Sequence, residues 1–212
     1  MRRLWPDPAE VGVLEALEEF PPQAPQGRPF VALNMVASAD GRATVDGRTS
    51  PLSSKSDRAM FHGLRERVDC VMVGAGTVRA ETYGRMIKDP DARLRREGLG
   101  LDSEPVTAVV SRSGDVPLDG AVVGHDPAGL LRALEAEHSV RSVLCEGGPM
   151  LNRHLLAQGL VDELFLTLSA QLVGGEDPLT ILRGPPLEPP VGLELVWLLE
   201  GEGDLLVRWR LL

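Results

Sequence analysis

The sequence predicts an α/β protein with a mainly parallel central sheet, helices on both faces and a C-terminal antiparallel hairpin. Short apolar runs alternate with segments of helical periodicity, as expected for strands that are covered on both sides. Two of these runs, residues 71–73 and 143–145, end at glycine turns that lead into residues able to start a helix. Such turns present backbone N–H groups to phosphates, so the pair predicts one nucleotide-like ligand across two neighbouring strand ends.

The helices follow from local signals. Residues 1–27 are predicted to form an N-terminal helical extension, opened by Asp7 and Pro8, and a proline-rich linker, while residues 28–212 form the main domain. Further helices are predicted where a capping residue or a proline precedes apolar residues at helical spacing. They begin near Ser54, Thr77, Asp126 and Pro149.

Strands are predicted in apolar runs that stop at glycine, proline or charged residues. They cover residues 30–36, 70–73, 106–110, 121–123, 143–145, 164–168, 193–199 and 205–211. The last two are joined by residues 200–204, whose glycines and acidic residues indicate a hairpin turn. The polar, arginine-rich segment 84–104 is predicted to be a loop.

Composition narrows the class of protein. The chain has 212 residues and a formal net charge of −9, which argues against a nucleic acid as partner because phosphate neutralisation needs a basic face. Its two cysteines, Cys70 and Cys145, lie in apolar runs, which favours buried reduced thiols. The four histidines lie on different predicted elements, so no metal site is expected. No apolar stretch suits a membrane span or a signal segment, so a cytoplasmic protein is predicted.

The glycine turns carry an incomplete nucleotide fingerprint. Gly74 and Gly76 approach the dinucleotide pattern G-x-G-x-x-G, but an arginine stands at the last glycine, so a plain tight turn remains an alternative. Gly147 and Gly148 precede a proline-started helix and allow close backbone approach to a ligand. Glu146 beside them places a carboxylate at a strand end, where α/β proteins form their sites.

Other polar residues near strand ends are candidate ligands. Arg112 lies between Ser111 and Ser113, a grouping that suits a phosphate monoester such as the 2′-phosphate of NADPH, although a solvated turn has the same composition. Asn34 interrupts an apolar strand, where a buried amide needs a partner from the backbone or from a substrate. Asp40, followed by glycine, is by itself only a turn signal.

Five segments carry a family pattern. They are residues 34–41 (NMVASADG), 64–78 (LRERVDCVMVGAGTV), 146–151 (EGGPML), 160–164 (LVDEL) and 172–175 (LVGG). In this order they resemble the reductase domain of bifunctional riboflavin-biosynthesis proteins, and the resemblance extends over residues 28–212. It implies a dihydrofolate reductase-like fold, a homodimer, NADPH as cofactor, and reduction of the ribose of 5-amino-6-(5-phosphoribosylamino)uracil to a ribityl chain.

The resemblance also implies roles for individual residues. The carboxylates that it offers for catalysis are Asp40, Asp57 and Glu146. The cofactor-binding residues are Gly74, Gly76, Thr77, Val78, Ser111, Arg112, Gly147, Gly148, Met150 and Leu151, and a cis peptide is expected between Gly147 and Gly148. The substrate-binding residues are Asn34, Ser38, Asp40, Lys55, Tyr83 and Arg85. Asp57 lies in an Asp-x-Ala-x-Phe pattern similar to the one that holds the acid of dihydrofolate reductases, and a helix-start carboxylate without chemistry is the alternative.

One segment departs from the family pattern. Shortly after Gly-Thr-Val the family usually carries an acidic-x-Pro-x-Leu stretch that contributes to substrate binding, whereas this chain has Tyr83 and Arg85 in place of the expected residues. The zinc deaminase pattern H-x-E with P-C-x-x-C is absent from the sequence. Three alternatives therefore stand: a reductase of this type, a reductase of another pyrimidine-like or pterin-like compound, and a non-catalytic NADPH-binding protein.

The C-terminal hairpin predicts an assembly. Residues 193–199 and 205–211 are so rich in apolar residues that neither face of the hairpin suits exposure to water. A two-fold homodimer that covers this surface is expected, with Trp197 or Trp209 at the interface. The segment 84–104 is the alternative interface.

Overall fold

One ten-stranded sheet forms the centre of the computed structural model, which describes residues 1–80, 84–176 and 178–212. The strands are β1 (Arg2–Trp5), β2 (Ala9–Glu10), β3 (Phe30–Ser38), β4 (Cys70–Gly74), β5 (Val106–Val110), β6 (Val122–Gly124), β7 (Ser142–Cys145), β8 (Glu163–Ser169), β9 (Leu193–Gly201) and β10 (Asp204–Leu211). Their spatial order is β2-β1-β9-β10-β8-β3-β7-β4-β5-β6. The mainly parallel centre and the C-terminal antiparallel hairpin confirm the predicted fold class.

The parallel strands give the sheet one functional edge. β8, β3, β7, β4, β5 and β6 run parallel to their neighbours, so their carboxyl ends lie along the same side of the sheet. β10 runs antiparallel to β8, and β9 runs antiparallel to β10. The turn between them lies at the same edge, because the N–H of Ala170 after β8 donates to Asp204 Oδ1 at 2.9 Å.

Most predicted helices are present. They are α1 (Val13–Ala16), α2 (Lys55–Arg65), α3 (Ala75–Ala80), α4 (Pro90–Gly98), α5 (Pro127–His138) and α6 (Pro149–Ala157). Ser54 and Asp126 cap α2 and α5 by accepting backbone N–H groups of the first turn, as predicted. The prediction for α3 needs correction, because the chain passes directly from β4 into a helix that begins at Ala75, so Thr77 lies inside its first turn rather than ahead of it.

The prediction of a loop over residues 84–104 is wrong, because α4 lies within this segment. Asp89 caps the helix with its carboxylate. Arg96 is completely buried, and its Nη1 donates to the carbonyls of Arg65 and Val68 at 2.6 and 2.8 Å. These carbonyls lie at and just beyond the end of α2, where a helix leaves acceptors unsatisfied. A long-range contact thus stabilises a helix that the polar composition conceals.

The predicted N-terminal helix is largely replaced by strands. β1 pairs antiparallel with β9, and β2 pairs with β1, so the extension continues the sheet beyond the C-terminal hairpin. Its helix is limited to the four residues of α1. Strand pairing satisfies backbone groups that β9 would otherwise leave open at an edge, which outweighs the local helix signal. The boundary between residues 1–27 and 28–212 stays a prediction.

Buried apolar residues form a cluster on each face of the sheet. The α2-side core includes Phe20, Phe165 and Trp197, and the α5/α6-side core includes Leu131 and Leu155. Trp197 is 6% exposed and packs edge-on against Phe165, with ring centroids 5.7 Å apart. Trp197 is therefore covered by its own chain, which corrects its predicted place at a dimer interface.

The remaining composition-based expectations concern thiols, metals and membranes. Cys70 and Cys145 are buried and unlinked, and burial raises the pKa of the Cys145 thiol to about 12. Within the described ranges no cluster of histidine, cysteine and acidic side chains could hold a metal ion. No helix in the same ranges has both the length and the apolar character needed to cross a bilayer.

Candidate active site

The carboxyl edge of the sheet brings the predicted motifs together. β3, β7, β4 and β5 lie side by side, and the glycine turns and polar segments follow their ends. The residues that leave these strand ends are Asp40, Glu146, Gly147, Gly148, Thr77, Ser111 and Arg112. Open α/β sheets bind ligands at this edge, so the arrangement suits an extended ligand.

The two glycine turns are in direct contact. The N–H of Gly74 donates to the carbonyl of Gly147 at 2.7 Å. A Cβ added to Gly148 would lie 3.1 Å from Thr77 Oγ1, and one added to Gly74 would lie 3.5 Å from the nitrogen of Gly148. The Gly147–Gly148 peptide is cis, as expected. Side chains at these positions would narrow the cradle, so its glycines fit the close approach of a nucleotide cofactor.

The predicted cofactor residues differ in what their side chains do. Val78 is 6% exposed in the α2-side core and Leu151 is 7% exposed in the α5/α6-side core, so their side chains hold α3 and α6 on the sheet rather than contact a ligand. Met150 is 61% exposed at the start of α6. Gly76 has open space around the position of a Cβ. Met150 and Gly76 are therefore accessible at the edge.

The serine–arginine–serine turn follows β5. Ser111 is buried, and its N–H donates to the carbonyl of Gly124 at 2.9 Å. The carbonyl oxygen of Ser111 lies 2.9 Å from Nδ1 of His125. Arg112 is exposed, and across residues 1–80, 84–176 and 178–212 its guanidinium makes no hydrogen bond or ion pair. A fixed backbone that carries an available guanidinium suits a phosphate monoester.

Asp40 connects the turn after β3 to the loop after β8. Its carboxylate accepts the Ser38 hydroxyl at 2.5 Å and the N–H groups of Val173 and Gly174 at 3.2 and 2.7 Å. These hydrogen bonds, with that of Ser38 the largest, lower the pKa of Asp40 to about 2. Asp40 is therefore ionised at neutral pH, which does not suit the donation of a proton.

α2 presents a row of functional side chains. Asp57, Phe61 and Arg65 stand one turn apart and share a face of the helix. Asp57 is 7% exposed, and its carboxylate accepts the Ser53 hydroxyl. Its backbone N–H donates to Ser54 Oγ at 3.1 Å, so Ser54 caps the helix as predicted while the Asp57 side chain turns to Ser53.

Arg65 meets Glu146 in a buried ion pair. Its Nε and Nη2 donate to the two carboxylate oxygens of Glu146 at 2.6 and 2.7 Å, and the two side chains are 10% and 3% exposed. The guanidinium also stacks on Phe61, 4.1 Å from the ring centroid, and its Nη1 lies 3.3 Å from the carbonyl of Met86. Because both oxygens of Glu146 are engaged, the geometry favours a positioning role for Glu146 over the predicted catalytic one.

The predicted substrate residues are only partly brought together. Asn34 is half-buried on β3, opposite Phe165 of the α2-side core, and so shares the face of α2. Lys55 is exposed, and its backbone N–H donates to Glu202. Arg85 is exposed beside Glu104, with 3.2 Å between Nε and Oε1. Tyr83 lies outside the described residues.

Sequence reasoning missed the residues that hold the carboxylates. Ser53 and Arg65 have no predicted role, although Arg65 lies in the family segment 64–78, and Arg65 stands 81 positions before Glu146. A further signal in the sequence is the position of Arg65 eight residues after Asp57, on the same face of one helix. Nothing in the sequence pairs Arg65 with Glu146.

Comparison with known proteins gives a consistent result. The family described as the RibD C-terminal domain matches residues 29–206. The 2,5-diamino-6-ribosylamino-4(3H)-pyrimidinone 5′-phosphate reductase of Archaeoglobus fulgidus is 29% identical over 191 residues, which cover 74% of this chain and 87% of that protein.

Solved structures agree on the fold. The pyrimidine reductase-like protein of Corynebacterium diphtheriae superimposes with a TM-score of 0.77 at 20% identity, over 95% of this chain and 99% of that chain. A dihydrofolate reductase of Enterococcus faecalis, solved in complex with NADP(H), gives a TM-score of 0.58 at 15% identity, over 86% of this chain and 96% of that chain. These likenesses show a dihydrofolate reductase-like fold.

Proposed function

The chain belongs to the RibD C-terminal domain family, and on that premise we propose that it is a nicotinamide-dependent reductase of a phosphorylated ribosylaminopyrimidine in riboflavin biosynthesis. The contact between the two glycine turns at the carboxyl edge supports the proposal, because the Arg65–Glu146 ion pair connects these turns to α2, the helix that carries Asp57. The relative from Archaeoglobus fulgidus is named for the 2,5-diamino compound. That compound is therefore the first candidate substrate, and the deaminated uracil is the second.

We propose NADPH as the cofactor. Gly74, Gly147 and Gly148 would receive it along their backbone, and Arg112 would pair with its 2′-phosphate. The chemistry it supplies when bound is a hydride. The chain would fix the distance and the angle between the cofactor and the substrate.

Arg112→Ala tests the cofactor assignment. Loss of a charge-assisted hydrogen bond to the 2′-phosphate is expected to cost about 1.5–3 kcal/mol of NADPH affinity and to leave NADH affinity unchanged. Fluorescence titration of both cofactors measures the two effects, with the exposed Arg132→Ala as the matched control. An equal loss for NADPH and NADH would refute the assignment.

We propose Asp57 as the group that donates the proton to the substrate. The open-chain form of the substrate carries an imine at the first carbon of the sugar, which gains a hydride at carbon and a proton at nitrogen. Asp40 is held ionised by three hydrogen bonds, and Glu146 is engaged by Arg65. Asp57 is the remaining carboxylate of the three, and its hydrogen bond from Ser53 fixes its orientation in a buried position.

Turnover of defined substrates tests the whole proposal. The wild-type protein is expected to oxidise NADPH with the 2,5-diamino-ribosylaminopyrimidinone phosphate, and Asp57→Asn to lower kcat by about 10²- to 10⁴-fold without a change in NADPH affinity. The deaminated uracil compound and dihydrofolate are assayed as substrates in parallel. Faster turnover of dihydrofolate would replace the proposal with a pterin reductase, and NADPH binding without turnover of any of the three would indicate a binding protein.

A further inference from the structure

Arg65 links three parts of the site, although it is neither one of the predicted glycines nor one of the predicted carboxylates. Its guanidinium holds Glu146, stacks on Phe61 and reaches the carbonyl of Met86. We propose that Arg65 is a positioning residue for hydride transfer, which fixes the Gly147–Gly148 turn and the segment 84–88 relative to α2. The inference rests on the proposed function, since it concerns the distance between cofactor and substrate.

On the cofactor side, the ion pair determines where the glycine turn begins. Glu146 directly precedes Gly147, and its own N–H donates to the carbonyl of Met72 at 3.0 Å. This bond holds the backbone of Glu146, and Arg65 holds its carboxylate with two hydrogen bonds of 2.6 and 2.7 Å. A planar fork that meets both oxygens defines orientation as well as distance, which a single ammonium cannot do.

On the proposed substrate side, the segment 84–88 is attached to the rest of the chain at Ile87, the residue after Met86. Ile87 is 4% exposed, its N–H donates to Glu104 at 3.1 Å, and its carbonyl accepts Nε and Nη2 of Arg93 at 2.9 and 2.7 Å. The contact of Arg65 with Met86 joins this anchored segment to the glycine turn. A displacement of Arg65 would thus change the gap across which the ligands meet.

The chain contains a matched pair away from the site. Arg208 donates to both oxygens of Glu163 at 2.8 and 3.1 Å, and the two side chains are 6% and 1% exposed. Its guanidinium lies 5.5 Å and 5.4 Å from the rings of Phe20 and Phe165. Like Arg65 and Glu146, these residues form a buried arginine–glutamate pair with two hydrogen bonds, but Glu163 begins β8 at the opposite edge of the sheet. Arg208 is therefore an internal control for the loss of a buried arginine that donates two hydrogen bonds to one carboxylate.

The experiment compares Arg65→Lys with Arg208→Lys, since both retain the charge and lose the fork. Both variants are expected to fold with similarly lowered melting temperatures. Arg65→Lys is expected to lower kcat by about 10- to 100-fold, because a displacement of 1 Å costs that much in positioning, whereas Arg208→Lys stays within about twofold of wild type. With NADPH deuterated at the transferred position, Arg65→Lys is expected to show a larger isotope effect on kcat, which a purely structural defect would not produce.

NADPH affinity separates this inference from the proposed function. Arg65→Lys is expected to bind NADPH more weakly than Arg208→Lys in a fluorescence titration, whichever pyrimidine is the substrate. Equal affinities together with equal kcat values for the two variants would overturn the positioning role. Failure of the wild type to turn over any pyrimidine while this affinity difference persists would overturn the proposed function and leave the positioning of the cofactor turn in place.

Discussion

The donors around each carboxylate decide what that carboxylate can do. Asp40 accepts a hydroxyl and two backbone N–H groups, Glu146 accepts a buried arginine fork, and Asp57 accepts one hydroxyl. We therefore propose three roles for three residues of the same chemical class: an anchor, a positioning group and a proton donor. Residue type alone does not distinguish them, because the donors Val173, Gly174 and Arg65 are distant in sequence from the carboxylates that they engage.

Asp40→Asn tests the anchoring role through its pH dependence. The folded pKa of about 2 lies below the ordinary value of 3.8, so the contribution of Asp40 to stability is present above that ordinary value and is lost as pH falls toward 2. The variant is expected to have a lower melting temperature than wild type at neutral pH, with the difference narrowing in acid. Thermal melts from pH 7 to pH 3 measure it, with the exposed Asp119→Asn as control. A difference that is constant with pH would contradict the role.

Two strand–turn–helix units form the proposed cofactor cradle. β4 leads into α3 and β7 leads into α6, and the turns meet through the hydrogen bond between Gly74 and Gly147. Each helix is fixed to the sheet by a buried side chain, Val78 in α3 and Leu151 in α6. The helices thereby hold the backbone of the turns in place, so the ligand-facing surface needs few side chains of its own.

Gly148→Val tests the cradle at the level of these elements. The backbone of Gly148, with φ of −85°, accepts a side chain, and the added Cβ would lie 3.1 Å from Thr77 Oγ1. The variant is expected to fold and to lose NADPH binding by at least about tenfold, because its branched side chain fills the space for close backbone approach. Calorimetric titration measures the loss. Gly98→Val on α4, where a Cβ meets open space, is the control, and normal NADPH affinity in a folded Gly148→Val protein would show that the turn is structural only.

The molecule covers the two faces of its C-terminal strands unequally. The N-terminal extension packs Val11, Leu17 and Phe20 on the face that carries Trp197. The opposite face of β8, β9 and β10 has a row of half-buried apolar residues, since residues directly opposite each other in the register share a face. These are Leu166, Leu168, Leu195, Leu198, Leu205 and Trp209. The hairpin lies inside the sheet rather than at its edge, so this face, and not an open strand, is the apolar surface that remains.

We predict a homodimer that buries this face, with Trp209 rather than Trp197 at the interface. Light scattering is expected to give twice the mass of one chain, and Leu168→Glu to give a folded monomer, because a charge in an apolar interface is not compensated. Val123→Glu, on β6 at the far end of the sheet, is the control and is expected to remain dimeric. Monomeric wild type at micromolar concentration would refute the dimer, and a dimer unaffected by Leu168→Glu would place the interface elsewhere, with α4 as the next candidate.

The sequence by itself determined the strands β3 to β10, the hairpin, the starts of α2, α5 and α6, and the identity of the two glycine turns. These features depend on apolar runs, caps and glycines within a few residues of one another, so local patterns suffice to predict them. The edge at which the motifs meet also follows from the sequence, because the carboxyl ends of parallel strands lie on one side of a sheet.

Only the tertiary structure decided the rest. The strands β1 and β2 exist because β9 offers an open edge, and α4 exists because Arg96 reaches the end of α2. The role of Glu146 depends on Arg65, 81 residues away. In each case the decisive partner is distant in sequence, and the free energy comes from satisfying buried polar groups that no local pattern records.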